Sequence, residues 1–220
     1  VMGVARAELP ARYELADLKA LQNAFVQLAV DVQPSVVVIR TYKVVGDAED
    51  VRVRMPLSQG SGFILDGDGF IVTNRHVIQD ADMLSVRLAD GTAYDAVVAQ
   101  EDPRSDLAVL KIDATQLRAV RFGDVSKTKV NQWVFAFGNP FGLANESGQP
   151  SVTLGVISAL GRQMTQRLVG DSDVEYYGNL METTASISPG NSGGPLFNVD
   201  GEVVGVVTAI ETGAGKDHGF

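Results

Sequence analysis

Glycine punctuates this chain. Its 23 glycines in 220 residues fall between short runs of Val, Ile, Leu and Phe, the pattern of many short strands joined by tight turns. Ser35 to Val45 is one β-branched run, and Gly62–Leu65 and Phe70–Thr73 are two more around Asp66-Gly67-Asp68-Gly69. Asp90-Gly91 and Asp200-Gly201 each sit between apolar runs, where glycine at positive φ closes a two-residue hairpin. Leu107–Ile112, Gln132–Phe137, Ser151–Leu160 and Val203–Ile210 complete the expected strands. About ten short strands over roughly 185 residues predict an all-β barrel or sandwich. Helical periodicity is clear once: Leu15, Leu18, Leu21, Phe25, Leu28 and Val32 form one face of an amphipathic helix that stops before Pro34. Gln163 to Asn179 lacks apolar periodicity and reads as a long connection, functional or mobile.

Composition removes several function classes. With 18 basic against 27 acidic side chains, the net charge of −9 leaves no basic footprint for a nucleic acid. The longest run of apolar residues and glycine, Trp133 to Gly138, is far short of the ~20 residues of a membrane span. No cationic start followed by an apolar core opens the sequence, so a signal peptide is expected to be absent or already removed. No cysteine is present, which excludes disulfides, and two histidines leave few ligands for zinc. Neither a metal nor another cofactor is expected.

The strongest local signal is Pro189-Gly190-Asn191-Ser192-Gly193-Gly194-Pro195-Leu196. A serine flanked by glycines on a tight turn exposes its hydroxyl, and its neighbouring N–H groups are free to converge on one point. Those are the needs of a nucleophile with an oxyanion hole; a Gly-rich hairpin turn has the same composition. A serine nucleophile needs a base. His76 follows an apolar strand in Thr73-Asn74-Arg75-His76-Val77-Ile78, whereas His218 stands among Gly, Lys and Asp and reads as solvated. The base in turn needs a carboxylate. Asp106 opens the apolar run Leu107-Ala108-Val109-Leu110, and Asp102 is a rival on composition alone.

Taken together, these segments resemble the HtrA/Deg family of serine proteases. The matching stretches are Gly60-Ser61-Gly62-Phe63-Ile64, Thr73 to Ile78, Asp106 to Lys111, Gly138-Asn139-Pro140-Phe141-Gly142, Ser151 to Ala159 and Pro189 to Leu196, in the family's order from about residue 34 to 220. The resemblance implies an all-β, chymotrypsin-like double β-barrel behind an N-terminal amphipathic helix. It divides the chain into a helical segment, 1–33, and a protease domain, 34–220, with barrels of about 34–125 and 126–220. It also implies a closing helix and one or more PDZ domains beyond a truncated end.

What the resemblance implies for chemistry is a triad of His76, Asp106 and Ser192, with Asp106 preferred to Asp102. The backbone of Gly190, Asn191 and Ser192 is expected to form the oxyanion hole, whose Gly190–Asn191 peptide can flip away beside glycine. Thr184 and Ser188 depart from the Asp and Asn more frequent in the family. Asn191, uncharged, cannot form the ion pair with a freed amino terminus that activates cleavage-dependent relatives. The primary specificity pocket is expected at Ser186, Ile187, Thr208, Ala209 and Ile210, with no acid, suited to Val, Ala, Ile or Leu. The expected substrates are unfolded polypeptides, cut in a bacterial periplasm or envelope by a homotrimer or higher oligomer. An inactive homologue acting as a holdase, and a digestive-type protease, are the other two readings. The polar centre of Gln163–Asn179, Gly170 to Asp173, is expected to be a regulatory loop.

Overall fold

The computed structural model describes residues 15–46, 53–144, 146–167, 174–208, 210–213 and 216–219, with the backbone alone at 15, 164–167, 174–177, 210–213 and 216–219. Helix α1 (Leu15–Val32) leads through a 3₁₀ turn over Gln33–Ser35 into the first sheet. Strands β1 (Val36–Val45), β2 (Val53–Ile64), β3 (Phe70–Asn74), β4 (Met83–Arg87), β5 (Ala93–Asp102) and β6 (Leu107–Ile112) close in the order β1-β2-β3-β6-β5-β4. A single helical turn, α2 (Arg75–Ile78), follows β3. At both expected hairpins the glycine takes a positive φ, +88° at Gly91 and +69° at Gly201, but each loop has three residues rather than two, closed by Leu88 N to the Thr92 carbonyl and by Asn198 N to the Glu202 carbonyl.

The remaining strands are β7 (Arg121–Phe122), β8 (Trp133–Gly138), β9 (Ser151–Arg167), β10 (Val174–Thr183), β11 (Pro195–Phe197), β12 (Glu202–Val206), β13 (Ile210–Gly213) and β14 (Lys216–Gly219). They form one barrel-like sheet in the order β13-β14-β10-β9-β8-β11-β12-β7. The architecture is all-β, a chymotrypsin-like pair of barrels with a helix at the N-terminal side.

Two expectations about elements are corrected. The segment Gln163–Asn179 is not a structureless connection: β9 and β10 pair through Val174–Arg167, Glu175–Gln166, Tyr176–Thr165 and Tyr177–Met164. The segment carries no period-two apolar pattern that would betray a strand. Its centre, 168–173, lies outside the described residues. The run Val203–Ile210 is likewise not one strand. β12 ends at Val206, and Val207 and Thr208 turn aside, Val207 exchanging hydrogen bonds with Gly193 and Gly194.

The first barrel is filled by Val37, Ile39, Ile71, Val86, Leu110 and Ile112, all at most 1% exposed. A second cluster lies between the barrels, where Val36 and Phe63 of the first meet Phe135, Phe137 and Phe197 of the second. Phe137 and Phe197 meet edge to face at 5.4 Å, a geometry worth about 0.5–1.5 kcal/mol beyond its buried area. The apolar face of α1 divides. Val32 is buried against this cluster with Leu28, and Phe25 meets Trp133 and Phe135 edge to face. Leu21 and Leu18, one and two turns before Phe25, are 38% and 56% exposed.

Candidate active site

Two loops of the first barrel bring His76 and Asp106 together. His76 is the second residue of α2, so its ring emerges where β3 gives way to a helical turn. Asp106 ends the connection from β5 to β6 in the left-handed region, φ +53°, which Asp tolerates better than most side chains. That conformation turns the residue so that both ends of it are used. Its carbonyl accepts from Arg75 N and Asn74 Nδ2, and its carboxylate accepts from His76 N at 2.9 Å and His76 Nδ1 at 2.6 Å. A carboxylate can only accept, so Nδ1 carries the proton and Nε2 is left with the free lone pair of a base. Asp102 lies on the surface, caps Arg104 N and Ser105 Oγ, and does not take part.

Asp106 is 1% exposed. Burial pushes its carboxyl up, but the His76 hydrogen bond and charge, the His76 N–H and the Thr208 hydroxyl together hold it below the usual carboxylate range. Thr208 was expected to line a specificity pocket. Its Oγ1 donates to Asp106 Oδ2 at 3.0 Å, so a side chain of the second barrel completes the acid of the first. Nothing in the sequence around Thr208 marks that role; only the pairing of two barrels produces it.

Ser192 sits between two turns that share Asn191. In the first, Ser188-Pro189-Gly190-Asn191, the Asn191 N–H donates to the Ser188 carbonyl at 3.0 Å and Gly190 has φ +100°. Proline second and a positive-φ glycine third define a type II turn. In the second, Gly194 N donates to the Asn191 carbonyl at 2.9 Å with Gly193 at φ +83°. A trans peptide points its C=O and N–H in opposite directions. The Pro189 carbonyl accepts from Phe141 N and the Asn191 carbonyl from Gly194 N, so the Gly190 and Ser192 N–H groups are turned away from those partners. Neither has an acceptor among the described residues. Asn191 is corrected as a donor to the hole, because its N–H closes the first turn. The Gly190 N–H belongs to the Pro189–Gly190 peptide, whose carbonyl Phe141 N holds, and not to the Gly190–Asn191 peptide.

The Ser192 hydroxyl, half-buried, donates to the Thr208 carbonyl at 3.5 Å, and among the described residues no hydrogen bond joins it to the imidazole. Ser186 is exposed and its carbonyl accepts from Thr153 Oγ1, while Ile187 leans on the core of the second barrel. Ala209 lies outside the described residues, as do the side chains of Ile210 and His218. Among the described residues no cluster of His, Asp or Glu has the arrangement of a metal site. Residues that sequence reasoning passed over are Asn74, Asn139 and Ser61, all at most 1% exposed and bonded into these loops. Ser61 and Asn139 stood inside quoted motifs, which was the available signal.

Comparison with known proteins gives the same picture. Residues 60–206 match the trypsin-like peptidase domain family. A protein of Pseudomonas fulva (strain 12-X) named probable periplasmic serine endoprotease DegP-like is 46% identical over 169 residues, covering 77% of this chain and 33% of its own length. A protein of the same name from Chlamydia pneumoniae is 47% identical over 157 residues, covering 71% and 30%. Among solved structures, the HtrA-type protease AlgW with decapeptide superposes with a TM-score of 0.72 at 33% identity, over 88% of this chain and 62% of that one. The chain thus spans about a third of the length of these curated relatives.

Proposed function

This chain belongs to the trypsin-like peptidase family, as a protease domain of the HtrA/Deg type, and from that membership we propose that it is a serine endopeptidase acting on unfolded or misfolded polypeptides. Ser192 attacks the scissile carbonyl. His76 Nε2 takes its proton and returns it to the leaving amine, while Asp106 holds the imidazole and stabilises the imidazolium. The N–H groups of Gly190 and Ser192 receive the negative oxygen of the tetrahedral intermediate. Water then repeats the sequence on the acyl-enzyme. No step calls for a cofactor.

The observation that carries this reading is the 2.6 Å His76–Asp106 contact beside a type II turn whose Gly190 N–H has no acceptor among the described residues. Unfolded casein incubated with the protein and with Ser192→Ala tests it: the wild type cuts and the variant does not. Retention of cutting by Ser192→Ala or His76→Ala would overturn the assignment. One observation favours the second reading, a holdase: the Ser192 hydroxyl is directed to Thr208 rather than to His76. Catalytic hydrogen bonds are frequently loose without substrate, and the same incubation separates the two.

Ser186, Ile187, Thr208, Ala209 and Ile210 are proposed to border a primary pocket without an acid, selecting small aliphatic side chains. Cleavage-site profiling dominated by Arg or Lys contradicts that. The exposed Leu18 and Leu21 suit assembly into a homotrimer, which light scattering tests. The relatives' names support a bacterial periplasmic setting, and no described helix is long and apolar enough to cross a membrane. Protein quality control, attached PDZ domains and control by Gly170 to Asp173 belong to the same proposal.

A further inference from the structure

We infer that Ser61 is a positioning residue for the oxyanion hole: its hydroxyl reaches across from the first barrel, fixes the Gly190–Asn191 peptide, and so aims the N–H groups on either side. The inference deepens the protease reading above and rests on it.

Ser61 is fully buried on β2, paired with Val38 of β1. A buried hydroxyl needs partners, and those it has belong to the other barrel. Ser61 Oγ donates to the Gly190 carbonyl at 2.7 Å and accepts from Asn139 N at 2.9 Å. Ser61 N donates to the Ser192 carbonyl at 2.9 Å. One residue therefore grips the nucleophile loop at Gly190 and at Ser192. Its own carbonyl is fixed from behind by Thr73 Oγ1 at 2.7 Å.

The flanking glycines explain the reach. A Cβ at position 60 would come within 2.6 Å of Val77 Cγ1 and 3.1 Å of the Ser192 carbonyl, and one at position 62 within 2.7 Å of the Val72 carbonyl. Glycine at 60 thus lets β2 approach the nucleophile loop, and glycine at 62 lets it pack on the first barrel's own strands, with Ser61 between them touching the turn. Serine is the smallest residue that can donate from that position: alanine has no donor, and threonine adds a methyl in a site with no spare room.

Gly190 offers little torsional resistance of its own, so hydrogen bonds must hold its peptides. The Pro189 carbonyl is held by Phe141 N at 2.9 Å, and the Gly190 carbonyl by Ser61 Oγ with a longer contribution from Asn139 N at 3.3 Å. Removing the hydroxyl leaves that 3.3 Å bond alone on the Gly190 carbonyl. The peptide can then tilt, and because it joins Gly190 to Asn191, a tilt changes the aim of the donors before and after it. The triad itself is untouched.

Ser61→Ala tests this, with kcat and KM on a peptide substrate and the affinity of a peptide boronic acid, whose tetrahedral adduct puts an oxygen in the hole. Loss of a whole oxyanion donor costs 10²–10³ in rate, so a misaimed one should lower kcat by about 10- to 100-fold with KM nearly unchanged. Boronate affinity should fall in parallel. Thr41→Val is the comparison: Thr41 is equally buried in the same barrel and exchanges hydrogen bonds with Ser58, away from the hole. It should lower Tm and leave kcat within about twofold. If Ser61→Ala does not fold, Ser61→Cys, similar in size and a weaker donor, should show the smaller parallel loss. Wild-type kcat in the variant that folds, a loss of kcat without loss of boronate affinity, or an equal loss in Thr41→Val overturns the inference. Ser192→Ala in the same assay separates the failures. If it still hydrolyses, the protease assignment and this inference both fall. If it is dead while Ser61→Ala is fully active, only the inference falls.

Discussion

At the scale of single residues, the site works by leaving some groups bonded and others free. Asp106→Asn keeps the shape of the acid but changes which tautomer of His76 is held, and kcat should fall by about 10⁴-fold with little change in KM. The same residue links activity to acid stability. Its folded-state carboxyl lies below the ordinary value of 3.8, so its contribution is present above that value and is lost as pH falls through the lower, folded one. Urea midpoints of wild type and Asp106→Asn should keep a constant gap near neutrality that narrows in acid. Asn191 carries a different prediction. It is 3% exposed, its Oδ1 has no partner among the described residues, and Gly138 lies against it. Asn191→Asp should destabilise by on the order of 3 kcal/mol near neutral pH, because the new charge is buried without a cation. Burial raises that carboxyl, so the loss should grow as pH rises, and Tm measured at mildly acid and mildly alkaline pH should diverge from wild type accordingly. The pairing of His76 with Asp106 was legible because three motifs fell in a recognised order. The bond of Thr208 to Asp106 was not legible, because its partner is distant in sequence, and a hydrogen bond across 102 residues leaves no trace in local pattern.

Whole elements were legible where a buried face imposed a period. β1 and β6 are buried against the barrel core and were visible as a β-branched run and an apolar run, and the Asp-Gly pair at Asp90-Gly91 marked the turn between β4 and β5. β5 went unseen: it reads Ala-Tyr-Asp-Ala-Val-Val-Ala-Gln-Glu-Asp, is mostly exposed, and owes its existence to pairing with β4 and β6. The hairpin of β9 and β10 escaped for the same reason. Helix α1 was legible, but not how its face would be used. Its hold on the barrel is concentrated at Phe25, Leu28 and Val32. Phe25→Ala should therefore release the helix locally, costing about 2–4 kcal/mol of its docking. Hydrogen exchange should then quicken over 15–32, while kcat per folded molecule stays unchanged. Slowing of catalysis in that variant would mean that α1 reaches the active site in a way its packing does not suggest.

For the molecule as a whole, the decisive surface is the one between the barrels. Phe63, Phe137 and Phe197 are at most 1% exposed there, and Phe197→Ala should cost about 3–5 kcal/mol. Because that loss is shared, thermal unfolding should remain one transition, shifted downward, rather than divide into two. Two separate transitions would show the barrels to be independent units. The hydroxyl of Thr208 that completes Asp106 crosses this same boundary, and it sets an order of events for the newborn chain. The acid's last bond and the meeting of the serine with the histidine both wait until the two halves have closed on each other, so under the proposed function cutting power comes only with the completed fold.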